Sequence, residues 1–333
     1  VLGYTGKPDS YYNAIINWVK QRYDLIVTKE VINFVPGIVP GIGMAMNCFT
    51  QKGDKVMIQP PVYHPFAWVT TRKERTLVIN PLRWENGMYR MDLDAFREQI
   101  KGCKLFILCN PHNPGGVVWT EAELRAIADI CYDEKVLVFS DEIHADLTLP
   151  PHTHRPFATV SEKARMNSVT FMSPSKAFNM PGLSASHALI FNEDLRKRFR
   201  IYMDAGELDM GHVFAFLSVE AAYSHGTEWL DQCLAYIQGN IDFVDEFLKK
   251  HAPKIKAIRP EASYLVWLDC RELELSQKDL NEFFVDKAHL ALNDGEMFGK
   301  EGIGFMRLNV ASPRCIIEKA MKQLADAYQL YIK

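Results

Sequence analysis

Short apolar runs recur along the chain, separated by amphipathic stretches. Lys55 to Gln59, Thr76 to Ile79, Lys104 to Cys109, Val136 to Ser140, Ser168 to Met172 and His187 to Phe191 are each bounded by polar or turn-forming positions. That pattern predicts buried strands. Between two of them, Thr120-Glu121-Ala122-Glu123 is a capping box, and Leu124, Ile127, Ala128 and Cys131 then recur at helical spacing. Strand alternating with helix predicts a mostly parallel sheet covered on both faces.

The pattern changes after about residue 225. Trp229, Leu230, Cys233, Leu234, Ile237, Ile241, Val244 and Leu248 mark one long helix, long enough to bridge two domains. Beyond it, Tyr264 to Leu268 and Gly304 to Val310 read as strands. A last helix is predicted with Ser312 as its N-cap and Pro313 in its first turn. The expected division is a large domain over residues 1–228 and a smaller α+β domain over 229–333. The length of 333 residues suits two cores better than one. Val1 to Gly6 reads like the middle of a protein, so an N-terminal arm is expected to be missing.

Composition narrows the function classes. Hydrophobic residues make up 48% of the chain and charged residues 24%, ordinary for a globular protein. The net charge is -3 with no basic stripe, which argues against a nucleic-acid partner. No apolar run approaches the roughly 18 residues that span a bilayer, and no signal peptide is visible. The seven cysteines are widely spaced and contain no C-x-x-C, so reduced core thiols in a cytoplasm are expected. His152-Thr153-His154 lacks the further ligands of a zinc site, and no metal is expected. No G-x-S-x-G elbow is present.

The candidate chemistry lies at strand ends. Lys176 follows the run ending at Met172, in Ser173-Pro174-Ser175-Lys176-Ala177-Phe178-Asn179. Asp141 follows the run before it, in Ser140-Asp141-Glu142-Ile143-His144. An amine and a carboxylate converging there suit pyridoxal phosphate: the amine condenses with the aldehyde, and the carboxylate keeps the ring nitrogen protonated. Ser173 and Ser175 are hydroxyls able to hold phosphate. Asn113, in Asn110-Pro111-His112-Asn113-Pro114-Gly115-Gly116, is an amide able to reach the ring oxygen. Pro36-Gly37-Ile38-Val39-Pro40-Gly41-Ile42-Gly43 precedes an expected helix over Met44 to Phe49, whose free amides suit phosphate. Tyr63 stacks on the ring or packs in the core. Arg307, alone in an apolar strand, grips a substrate carboxylate or forms a structural ion pair.

Taken together, these segments resemble the fold-type I pyridoxal phosphate enzymes. The match is closest to the MalY/PatB group of cystathionine β-lyases within the class I/II aminotransferase superfamily. It runs in order from Gly3-Tyr4-Thr5 through the segments above to Ala291-Leu292-Asn293-Asp294-Gly295 and Arg307-Leu308-Asn309. The resemblance implies a seven-stranded, mostly parallel sheet flanked by helices, with a smaller C-terminal domain. It implies that Lys176 carries the cofactor, that Asp141 pairs with the ring nitrogen and Asn113 with the ring oxygen, and that Tyr63 stacks. Ile38, Val39, Ser173 and Ser175 would hold the phosphate, and Arg307 the substrate carboxylate. Tyr4 would reach the phosphate in the partner subunit's site, making the enzyme a homodimer. His144 stands where aspartate aminotransferases have a tyrosine near the ring oxygen, which favours the lyases.

The activity implied is β-elimination from a sulfur amino acid, L-cystathionine first, giving thiol, pyruvate and ammonia in methionine biosynthesis. Lys176 would act as the general base, and Tyr63 or Lys176 would protonate the departing sulfur. The alternatives are an aminotransferase with the same cofactor, separable by its keto-acid requirement, and a cofactor-binding regulatory protein with vestigial activity.

Overall fold

The computed structural model describes Gly3 and residues 5–331. Its strands are β1 (Ile32–Val35), β2 (Lys55–Ile58), β3 (Thr76–Ile79), β4 (Arg83–Glu85), β5 (Met88–Arg90), β6 (Leu105–Cys109), β7 (Leu137–Asp141), β8 (Ser168–Met172), β9 (Ser186–Leu189), β10 (Lys256–Ile258), β11 (Leu265–Asp269), β12 (Asn293–Asp294) and β13 (Phe305–Asn309). Its α-helices are α1 (Asp9–Tyr23), α2 (Ile38–Phe49), α3 (Pro65–Arg72), α4 (Leu93–Gln99), α5 (Glu121–Asp133), α6 (Glu162–Met166), α7 (Glu193–Asp204), α8 (Val213–His225), α9 (Thr227–His251), α10 (Gln277–Glu282) and α11 (Arg314–Tyr331).

Seven strands form one sheet in the order β1-β9-β8-β7-β6-β2-β3, in which only β9 runs against its neighbours. The interior strand β6 is buried along its whole length. Its side chains alternate between two cores, as the pleat requires. Phe106 and Leu108 cluster with Leu124, Ile127 and Cys131 of α5, whereas Leu105, Ile107 and Cys109 cluster with Ile42, Ala45 and Met46 of α2. Both faces are therefore covered, which is why these strands read as continuous apolar runs. The four-stranded antiparallel sheet β10-β11-β13-β12 packs on Ile241, Val244 and Leu248 of α9 and on Ile317, Met321 and Leu324 of α11.

The predicted runs coincide with the strands to within a residue or two, and the capping box at Thr120 forms as predicted. Two helix starts differ. Helix α2 begins at Ile38 and not near Met44, with Pro40, Gly41 and Gly43 inside it. A proline in the first turn forfeits no helical bond. Gly41 lies so close to β1 that a Cβ there would sit 2.8 Å from Val35 Cγ2. Helix α11 begins at Arg314: the Pro313 carbonyl accepts its first bond, and the Tyr236 hydroxyl of α9, rather than Ser312, caps the Arg314 amide at 2.7 Å. The β4–β5 hairpin turns at Asn86-Gly87, both with positive φ. The Asn-Gly pair is the local signal for it.

Candidate active site

The parallel strands end together. Cys109 of β6 pairs with Asp141 of β7, and Asp141 with Phe171 of β8, so chain leaving these strands emerges at one edge of the sheet. Ligands of open α/β sheets bind at this carboxyl edge. A cavity of about 420 Å³ lies there. Ile38, Val39, Tyr63, Asn113, Asp141, His144, Ser175, Lys176 and Arg307 all line it, so nine of the residues singled out from the sequence converge on one space. Lys176 and Asp141 interact electrostatically across it. Ser173 stands one layer back. Its hydroxyl donates to the Ala185 carbonyl at 2.7 Å and lies 2.8 Å from Ser175 Oγ. Tyr4 lies outside the described residues.

Asp141 ends β7 and is 3% exposed. Among the described residues the one hydrogen-bond partner of its carboxylate is the Ile143 amide at 3.1 Å. Burial raises its pKa to about 7, the Ile143 amide opposes this, and Glu142 and Lys176 act in opposite directions after that. A buried carboxylate with so few donors is suited to a cationic group inside the cavity. Burial and the nearby Arg307 charge lower the Lys176 pKa, which enlarges the neutral, nucleophilic fraction of the amine. His144 is buried, its Nδ1 has no partner, and burial holds its pKa down to about 3, so the ring is neutral.

Gly37, at φ 123°, turns the chain into α2 in a conformation that favours glycine. The first intrahelical bond runs from the Gly41 amide to the Gly37 carbonyl, which leaves the Ile38 and Val39 amides free at the cavity. With Ser175 they form an anion-binding corner at the positive end of a helix.

Arg307 reaches the cavity from β13. Nη1 donates to Asn113 Oδ1 at 2.8 Å and Nη2 to Asn293 Oδ1 at 2.7 Å. Its guanidinium sits 4.5 Å from the Phe298 ring centre, and Nε is buried without a partner. No carboxylate of the described residues forms an ion pair with it, so the structural salt bridge open at the sequence level is absent among them. Burial lowers its pKa to about 10. Because the Asn113 oxygen is taken by Arg307, its amide nitrogen remains as the free donor.

Three contributors escaped sequence reasoning. Tyr264 lines the cavity from the residue before β11, and its ring meets His144 edge-on at 6.4 Å. A hydroxyl-bearing aromatic opening an apolar strand was its only signal. Cys109, which read as a core thiol, lines the cavity and accepts from the Asn113 backbone N–H at 3.4 Å, leaving that residue's side-chain amide free. Asn293 had no local signal, since its partner Arg307 is supplied by strand pairing.

The residues fit pyridoxal phosphate: a lysine, an under-coordinated buried carboxylate, a free amide donor and an anion corner surround one cavity of suitable size. The sequence pattern described as aminotransferase class I and II matches residues 3–324. The chain belongs to that family. It is 37% identical over 329 residues to cystathionine beta-lyase PatB of Bacillus subtilis, covering 98% of this chain and 85% of the relative. It is 29% identical to protein MalY of Escherichia coli, covering 98% and 84%. Among solved structures, cystalysin from Treponema denticola, which contains a pyridoxal 5'-phosphate cofactor, superposes with a TM-score of 0.97 at 35% identity, covering all of this chain and 85% of that one. No α-helix of the described residues is long and apolar enough to cross a membrane.

Proposed function

We propose that this protein is a pyridoxal phosphate-dependent carbon–sulfur lyase that removes the β-thiol substituent of a sulfur amino acid. The observation that carries the reading is the convergence of Lys176, Asp141, Asn113 and Arg307 on one cavity in a chain that resembles cystathionine β-lyases along its whole length. When bound, the cofactor supplies an electron sink for the substrate's α-carbon. Lys176 would hold it, Asp141 would face its ring nitrogen and Asn113 its ring oxygen. Ile38, Val39 and Ser175 would hold its phosphate, with Ser173 fixing Ser175.

The chain's own groups do the rest. Arg307 binds the α-carboxylate through the guanidinium N–H groups that Asn113 and Asn293 leave free, gaining an anion beside two neutral amide oxygens. Asn113, bonded to that fork, links the carboxylate site to the cofactor site. Lys176, with its lowered pKa, takes the α-proton as general base. The Tyr63 hydroxyl, whose pKa burial raises, keeps its proton and can deliver it to the departing sulfur. The balance is one thiol, one pyruvate and one ammonia from substrate and water.

L-cystathionine is the first substrate to test. Incubated with it in the absence of any keto acid, the enzyme is expected to release thiol and pyruvate continuously. Turnover that requires an added keto acid would establish transamination instead.

We also propose a homodimer in which Tyr4 serves the partner's site. Met210, Phe214 and Leu217 support it as an apolar face left 42–56% exposed on and beside α8. We take the domain division at 228/229, inside the first turn of α9; the packing of Ile237 onward with the small sheet supports it, while Leu230 still packs with α1 and α8. Seven free cysteines are consistent with a reducing cytoplasm.

A further inference from the structure

We propose that Glu142 and His154 are positioning residues, a buried carboxylate–imidazole pair that sets the end of β7 so that Asp141 meets the cofactor ring. This rests on the role given to Asp141 above.

Glu142 follows Asp141 directly, and it sits on the opposite face of the strand end, away from the cavity. It is 1% exposed, and its carboxylate is nonetheless fully furnished. Oε1 accepts from Ser140 Oγ and from the Phe157 amide, both at 2.8 Å, and Oε2 lies 2.8 Å from His154 Nε2. The histidine is 4% exposed and belongs to the His152-Thr153-His154 stretch, which joins no group of three or more metal-ligating side chains among the described residues. Its neighbour His152 instead faces Glu261 at 3.8 Å.

The 154–157 segment is also tied to β6. Asn110 Nδ2 donates to the Arg155 carbonyl at 3.1 Å, and the Asn110 amide donates to the Asp141 carbonyl at 2.9 Å. One loop is thus strapped across the ends of the two strands that deliver Asn113 and Asp141. The His154 ring stands edge-on to Tyr23 at 5.4 Å. The Tyr23 hydroxyl and the Trp18 ring nitrogen both bond the carboxylate of Asp146 at the far end of the same turn. The turn is therefore gripped at both ends, by Glu142 and by Asp146.

Burying an ionisable pair is a poor route to stability, since well-packed apolar groups of equal volume do as well or better. What the pair provides is direction: three donors of fixed geometry allow the Glu142 side chain one orientation, and the strand then allows Asp141 one. Outer hydrogen-bond partners of ligand-holding groups act in this way.

The test is a double-mutant cycle read by cofactor affinity. Cofactor-free protein is titrated with pyridoxal phosphate, followed by tryptophan fluorescence and by the absorption band of the bound cofactor. His154→Ala is expected to weaken binding by about tenfold, the scale typical of losing an outer partner. His154→Gln, which keeps a donor at similar reach, should recover most of the loss. In an Asp141→Asn background, His154→Ala should weaken binding no further. Additive losses, or no loss from His154→Ala, would overturn the proposal while leaving the role of Asp141 intact. An Asp141→Asn variant with unchanged affinity and absorption would remove both readings. Should His154→Ala not fold, the isosteric Glu142→Gln enters the same cycle with the same expected and overturning results.

Discussion

The two walls of the cavity differ in how their polar groups are satisfied. The sheet wall, made by the ends of β6, β7 and β8, carries Asn113, Asp141 and Ser175, all buried. The facing wall, made by β13 and the start of β11, carries Arg307, partly exposed and bonded to the exposed Asn293 of β12. On the sheet wall, two consecutive carboxylates receive opposite treatment. Glu142, pointing away from the cavity, has three protein donors, whereas Asp141, pointing in, has one backbone amide. On the facing wall the guanidinium has only neutral acceptors. The buried wall lacks a cation and the more exposed wall lacks an anion. Under the proposed function, a resident cofactor and a transient substrate carboxylate would fill those roles in the order that the burial suggests.

That contrast can be broken most forcefully at the group between the walls. Lys176→Ala should cut pyruvate release from L-cystathionine by roughly 10²–10⁴-fold, the usual worth of a positioned proton-transfer group. A loss under tenfold would assign the base elsewhere. Arg307→Ala should separate the walls: kcat/KM is expected to fall by roughly 10–150-fold, as when a charge-assisted hydrogen bond is lost, mostly through KM, with pyridoxal phosphate affinity nearly unchanged. An equal fall in cofactor affinity would show that the walls are not separate.

The smallest effect concerns stability. The pKa of Asp141 is raised on folding from an ordinary value of 3.8 to about 7, so the folded cofactor-free protein binds more protons than the unfolded chain between those values. Stability therefore declines as pH rises through that window. Asp141→Asn should flatten that part of the profile of melting temperature against pH. An unaltered profile would mean that another group titrates.

What was legible before folding was local. The runs that became β6, β7 and β8 announced themselves because a strand covered on both faces must be apolar throughout. The Asn-Pro loop and the residues after β8 stood out because turn chemistry is written in adjacent residues. The start of α2 was misjudged because Gly41 and Gly43 suit loops by propensity, whereas here close packing against β1 and α3 selects them. Tyr264 and Asn293 stayed hidden because their roles come from partners that packing and strand pairing supply, and Cys109 because a thiol in an apolar strand reads as core.

By itself, then, the order of residues determined eight of the thirteen strands, roughly where each stops, and so which side chains arrive at their ends: Lys176, Asp141 and Asn113. Only the tertiary structure decided their company. It put Arg307 on Asn113 across 194 positions of sequence, turned Glu142 to His154 and Asp141 to the cavity, and set Ser173 behind Ser175. The reason is physical: backbone preference acts over a few neighbouring residues, whereas a hydrogen bond or an ion's desolvation depends on whatever distant group the packed sheet brings within about 3 Å.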